Sequence, residues 1–156
     1  MPTTANVTIH PSQFPDAIRC DLLESLRRRQ VNHKFHYDSA KQTQQWLALH
    51  QLHSPSRNDA DCEAIYDQAF AVVAEPECKQ PIHLIGLGCG GGQKDTRLLK
   101  LLQSGGRKVS YTPSDVSVVM TLVARQSALD GAPFECAHML APTRALNLAL
   151  RIIDPK

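Results

Sequence analysis

The stretch Pro81-Ile82-His83-Leu84-Ile85-Gly86-Leu87-Gly88-Cys89-Gly90-Gly91-Gly92-Gln93-Lys94-Asp95 decides how this chain is read. A short apolar run meets a glycine cluster, and Leu98, Leu99, Leu101 and Leu102 then recur until Gly105-Gly106 interrupts them. That order predicts strand, glycine loop, helix. No glycine precedes Gly86, and five of the chain's eight lie between positions 86 and 92. Glycine lets the backbone turn tightly and lets a ligand approach the main chain, while the following helix points its unpaired N–H groups at that ligand.

Downstream, Lys108 to Thr112 reads as a second strand running into Pro113-Ser114-Asp115. Val116 to Leu129 is helical and stops at Asp130-Gly131, and Phe134 to Ala137 reads as a third strand. The β-α-β-α-β alternation over residues 82 to 137 predicts an α/β fold with a parallel, Rossmann-like sheet. Thr143 to Ile153 is Leu-rich and reads as a helix. Upstream, residues 1 to 12 read as a short polar, frayed end. An amphipathic helix follows from Asp16 to Gln30, with Ile18, Leu22, Leu23 and Leu26 on one face and Arg27 to Arg29 where cations suit the helix dipole. Ala40 to Gln51, around Trp46, and Asn58 or Asp59 to Ala74, with Ile65, Ala69, Phe70 and Val73, predict two more helices. The expected organisation is a helical segment at 1–78 followed by a sheet domain at 79–156.

The chain has 156 residues, 42% apolar and 21% charged, with 17 basic against 15 acidic side chains. A net charge of +2 supplies no basic stripe for nucleic acid. Nor does any stretch have the run of apolar residues that a membrane span needs. Neither nucleic acid nor membrane is therefore an expected partner. Five scattered cysteines without a C-x-x-C pair, and no signal-like start, predict a reduced cytoplasmic protein. The pairs His33 with His36 and His50 with His53 lack the further ligands of a recognised metal spacing, so no metal is expected.

Three ligand readings compete for the loop. A P-loop requires Gly-Lys-Ser/Thr, and Gln93-Lys94-Asp95 stands there instead. The dinucleotide pattern G-x-G-x-x-G is present at Gly86, Gly88 and Gly91, and a methyltransferase-type G-x-G-x-G at Gly86, Gly88 and Gly90. Both want an acid at the end of the next strand, where its carboxylate can accept hydrogen bonds from ribose hydroxyls. Asp115 occupies that place; its alternative role is a cap for the following helix. Lys94 is either a carboxylate partner for an amino-acid moiety or a surface residue of the first helical turn. Cys89 is either a reactive thiol at a helix N-terminus or a small residue that fits the loop. Trp46, Phe70 and Phe134 read as core.

The run Leu87-Gly88-Cys89-Gly90-Gly91-Gly92-Gln93-Lys94-Asp95-Thr96-Arg97-Leu98-Leu99, followed by Tyr111-Thr112-Pro113-Ser114-Asp115-Val116-Ser117, resembles the S-adenosylmethionine-dependent histidine-specific methyltransferase family. The 21-residue separation of Lys94 and Asp115 matches the family pattern. Lys34-Phe35-His36-Tyr37-Asp38 and Ser54-Pro55-Ser56-Arg57 are similar to two further family segments, so the resemblance covers roughly residues 16 to 139. It implies a class I methyltransferase fold with S-adenosyl-L-methionine as methyl donor. Gly86, Gly88, Gly90 and Lys94 would lie along the donor, with Gly88 and Lys94 at its methionine part and Asp115 at its ribose. Two positions depart from the pattern. His53 stands in the slot of a substrate-facing tyrosine, and His138-Met139 stand where an acid and an apolar residue flank adenine.

The resulting expectation is an S-adenosylmethionine-dependent N-methyltransferase acting on histidine or a related small amine. With three strands it would form the N-terminal, cofactor-binding half of such a sheet, a truncated fragment in which most of the acceptor site is missing. An incomplete sheet edge would also invite self-association. Two alternatives stand beside it: a nicotinamide-dinucleotide domain, and a non-catalytic remnant that serves as an interaction module.

Overall fold

The computed structural model describes residues 7–74 and 80–131 and the backbone of 139–141. Its strands are β1 (Val7–Ile9), β2 (Ile82–Leu87), β3 (Val109–Ser114) and β4 (Met139–Ala141); its helices are α1 (Pro15–Arg28), α2 (Ala40–His53), α3 (Pro55–Asn58), α4 (Ala60–Ala74), α5 (Gln93–Ser104) and α6 (Val118–Gly131). The strands form one sheet in the order β1-β4-β3-β2, and every neighbouring pair is parallel. This is a mixed α/β fold with a small parallel sheet, as the alternation predicts.

Each boundary has a local cause. Pro15 opens α1, where its missing N–H costs nothing, and Arg29 ends it in the left-handed conformation at φ 53°. Ser39 and Gln42 close a reciprocal capping box at the start of α2. Ser54 then takes extended backbone before Pro55, which starts a separate short helix and so turns the chain between α2 and α4. Lys34 is buried and reaches Asp21 of α1, tying the 3-10 turn at His33–His36 to that helix.

One expectation for the chain ends is changed. Residues 7–9 belong to the sheet, with Val7, Thr8 and Ile9 in register with Met139, Leu140 and Ala141. Three residues carry too weak a pattern to announce a strand, and only the neighbour β4 makes them one. The third strand expected at 134–137 falls outside the described residues, as does the helix expected at 143–153. The described strand is β4, two residues further on.

The core lies between the sheet and two helices. Leu99 and Leu102 of α5, Val109 and Tyr111 of β3 and Ala128 of α6 are buried together, with Ile82, Leu84 and Leu98 against them. Strand β3 is buried along almost its whole length because it has a neighbour on each side. Pro113 near its end is compatible with this position because β4 pairs with β3 only at Ser114↔Leu140. At Gly92, φ is +76° and a Cβ would come within 2.6 Å of the Ala124 backbone, so α6 seats directly on the loop's last residue. This contact, with the small faces of Ala124 and Ala128, holds the glycine loop at the carboxyl ends of β2 and β3. Among the described residues, no helix is long and apolar enough to cross a membrane.

Candidate functional site

The carboxyl ends of β2 and β3 carry the site, where a parallel sheet leaves a crevice between its outgoing loops. Leu87 ends β2, the loop runs from Gly88 to Gly92, and α5 begins at Gln93. Cys89 donates its N–H to the Ser114 carbonyl, which joins the loop to the end of β3. Gly88 and Gly90 both have positive φ, and a Cβ at Gly88 would meet no atom within 4 Å.

Asp115 holds this loop in place. Its Oδ2 accepts the Gly90 N–H at 3.0 Å and its Oδ1 accepts the Ser117 N–H at 3.1 Å. The cap of α6 is Ser117, whose hydroxyl accepts the Met120 N–H, so Asp115 serves as a clamp between two segments. Burial pushes its carboxyl above the ordinary value of 3.8, and the backbone N–H bonds offset part of that rise.

Asp95 is a second buried acid, in the first turn of α5. Tyr111 donates its hydroxyl to Asp95 Oδ2 at 2.5 Å. A Cβ at Gly86 would overlap that same carboxylate, so a larger residue there would have to displace Asp95. Burial again raises the carboxyl above 3.8, against the Tyr111 bond and the Lys94 charge, which lower it. The folded protein therefore holds this proton more tightly than the unfolded chain. The contribution of Asp95 to stability then falls as pH rises from 3.8 through the folded value. Asparagine can still accept from Tyr111 but does not titrate. In urea unfolding at stepped pH, Asp95→Asn is expected to gain stability relative to wild type across that interval and to hold the gain above it. A stability difference independent of pH would refute this account.

Two cavities adjoin at the loop and share Trp46, Gly88 and Gly90. The smaller, about 260 Å³, is lined by Tyr37, Trp46, Asp115, Val116 and Met120 and is mainly apolar. The Tyr37 hydroxyl is held protonated by burial and by the nearby Asp115 charge. The larger, about 490 Å³, is lined by Trp46, His50, Arg57, Tyr66, Lys94 and Asp95 among others. Lys94 donates to the Tyr66 hydroxyl at 2.8 Å, and Arg97 pairs with Asp67, so α5 is fastened to α4. The Arg57 Nε is buried and has no hydrogen-bond partner among the described residues.

The expected residues Gly88, Gly90, Lys94 and Asp115 line these cavities together. Gly86 lies beneath, against Asp95. His53 is exposed at the last turn of α2, and the histidine of that helix that lines the larger cavity is His50. His138 lies outside the described residues, and Met139 is described only as backbone in β4. Trp46 and Phe70, expected in the core, line the larger cavity instead. Their α2 and α4 positions carry apolar periodicity but no sign of which face meets the sheet. Cys89 is not activated: burial and the charges of Asp115 and Asp95 push its thiol well above its ordinary range.

No family model, no curated protein and no solved structure matches the chain.

Proposed function

We propose that the loop cavities bind S-adenosylmethionine and that the protein is a methyltransferase acting on the nitrogen of histidine or a related small amine. The observation that carries this reading is the division of one glycine loop between two unlike cavities. On one side, Tyr37, Val116 and Met120 with Asp115 suit a nucleoside, whose ring buries apolar surface and whose hydroxyls donate to a carboxylate. On the other, Lys94 and the Arg57 Nε, without a partner among the described residues, suit the carboxylate of an amino-acid end. Bound there, the donor would supply an activated methyl group, and the protein would contribute position and the exclusion of water. The resemblance of the loop and of the Tyr111–Ser117 segment to the histidine-specific methyltransferases supports the same reading.

A pyrophosphate is a poorer occupant. Gly90 already gives its N–H to Asp115, and Asp95 places a second buried carboxyl beside the helix N-terminus that a phosphate would use. Titration calorimetry on the purified chain distinguishes the ligands. S-adenosylhomocysteine is expected to bind at least tenfold more tightly than NADH, and Lys94→Ala to weaken it about tenfold, the loss of one charge-assisted hydrogen bond. Tighter binding of NADH would favour the dinucleotide reading and overturn the proposal.

A further inference from the structure

We infer that His50 is the proton acceptor of the methyl transfer: its imidazole takes the proton that an amine must shed to become a nucleophile. The inference rests on the methyl-transfer reading and adds a residue that reading does not require. His50 stacks on Trp46 with ring centroids 4.7 Å apart and planes 21° from parallel, and both side chains line the larger cavity. Trp46 in turn reaches over the loop, within 3.8 Å of where a Gly90 Cβ would stand. The stack therefore places an imidazole in the cavity that the glycine loop also lines, with Trp46 between it and Gly90. Neither ring nitrogen has a hydrogen-bond partner among the described residues, which leaves the ring edge available.

Burial and neighbouring charge set its protonation state. Burial, then the Arg57 charge from α3, then the Lys94 charge from α5, lower its pKa from the ordinary 6.5. Glu63 and Tyr66 of α4 and Asp95 and Arg97 of α5 also line the cavity. The acids are engaged elsewhere: Asp95 accepts from Tyr111, and Glu63 lies 4.0 Å from Arg97. His50 is thus neutral near pH 7, as a proton acceptor must be. The same positive surroundings lower the pKa of a bound ammonium group and narrow the gap that the proton must cross. The imidazole accepts the proton from nitrogen, and the freed lone pair bonds to the methyl carbon. The carbon–sulfur pair stays on sulfur as a neutral thioether, and the imidazolium returns its proton to solvent.

The test combines NMR, binding and rates on the full chain. The imidazole resonance assigned by its loss in His50→Gln is expected to titrate below 6.5 and to shift when S-adenosylhomocysteine is added. With radiolabelled S-adenosylmethionine and L-histidine, the wild-type rate is expected to climb with pH through that pKa and then level off. His50→Gln is expected to lower the rate about 10²–10⁴-fold and flatten the profile while changing S-adenosylhomocysteine affinity less than threefold. Added imidazole is expected to restore part of the rate to His50→Ala, as filling a merely structural gap would not. A wild-type rate and profile in His50→Gln would overturn the inference, as would titration above 7. Binding of S-adenosylhomocysteine without any transfer by wild type would overturn the role of His50 but leave the donor site standing. Absence of that binding would overturn both.

Discussion

Replacing Gly92 with alanine is expected to remove a large share of the protein's stability, about 2–5 kcal/mol in urea unfolding. Two effects add. A side chain at φ +76° leaves the region that L-residues tolerate, and the new methyl would meet the Ala124 Cα at 2.6 Å and its carbonyl oxygen at 2.9 Å. These neighbours are backbone of α6, so they can retreat only if the helix moves. That helix carries Met120, Ala124 and Ala128 into the buried interior, and shifting it opens voids there. Gly106 provides the control, since it has nearly the same φ of +75° but nothing within 4 Å of a Cβ. Gly106→Ala is expected to cost only the conformational part, about 1–2 kcal/mol. Equal losses at the two glycines would show that helix contact adds nothing. Because α6 also positions Asp115 at its leading end, Gly92→Ala is further expected to weaken ligand binding at the loop.

Asp115→Ala is the second substitution with a large expected effect, and it acts on both folding and binding. It leaves the Gly90 and Ser117 N–H groups without their acceptor in a place where Asp115 itself is only 7% exposed. Each orphaned donor costs about 1–3 kcal/mol where water does not replace the lost bond. The expected result is a stability loss of about 2–4 kcal/mol, with faster amide hydrogen exchange at Gly90. S-adenosylhomocysteine binding is expected to fall a hundredfold or more, because the loop loses its clamp and, on the proposed reading, the ribose would lose its acceptor. Asparagine is not a conservative replacement here. Its single carbonyl oxygen can face only one of the two N–H groups, and its own NH₂ then opposes the other, donor against donor. Asp115→Asn is therefore expected to fall between alanine and wild type in both measurements. Wild-type affinity in either variant would remove Asp115 from the binding site.

The elements were legible because their signals are local. Leu98, Leu99 and Leu102 repeat at helical spacing and end at paired glycines, and α5 spans Gln93–Ser104 as that pattern requires. The apolar run before Gly86 becomes β2, and the next becomes β3 with Tyr111 and Pro113 buried. Asp115 stood out because two motif halves, the loop and the strand end, point to one place. Trp46 gave a misleading signal: an aromatic residue on a helix has the same pattern whether it faces a core or roofs a cavity. His53 was singled out by its slot in the family pattern, whereas it is His50, one turn earlier on the same helix, that lines the cavity, and periodicity alone does not separate the two. Asp95 carried no signal at all, since its burial depends on Tyr111 reaching it from β3 and on Gly86 leaving room.

Taken alone, the order of residues determined that this chain has alternating strands and helices in its second half, a glycine loop between the first such pair, and an acid after the next strand. Those are properties of short segments, set by periodicity, by glycine's backbone freedom and by turn residues. Only the tertiary structure decided that residues 7–9 enter the sheet, that His50 rather than His53 lines the cavity, and that Asp115 is tied to Gly90. Each of these joins residues far apart in the chain or selects one helix face over another. The free energy that makes such choices comes from burying a particular surface and satisfying particular donors, and neither exists until the elements pack.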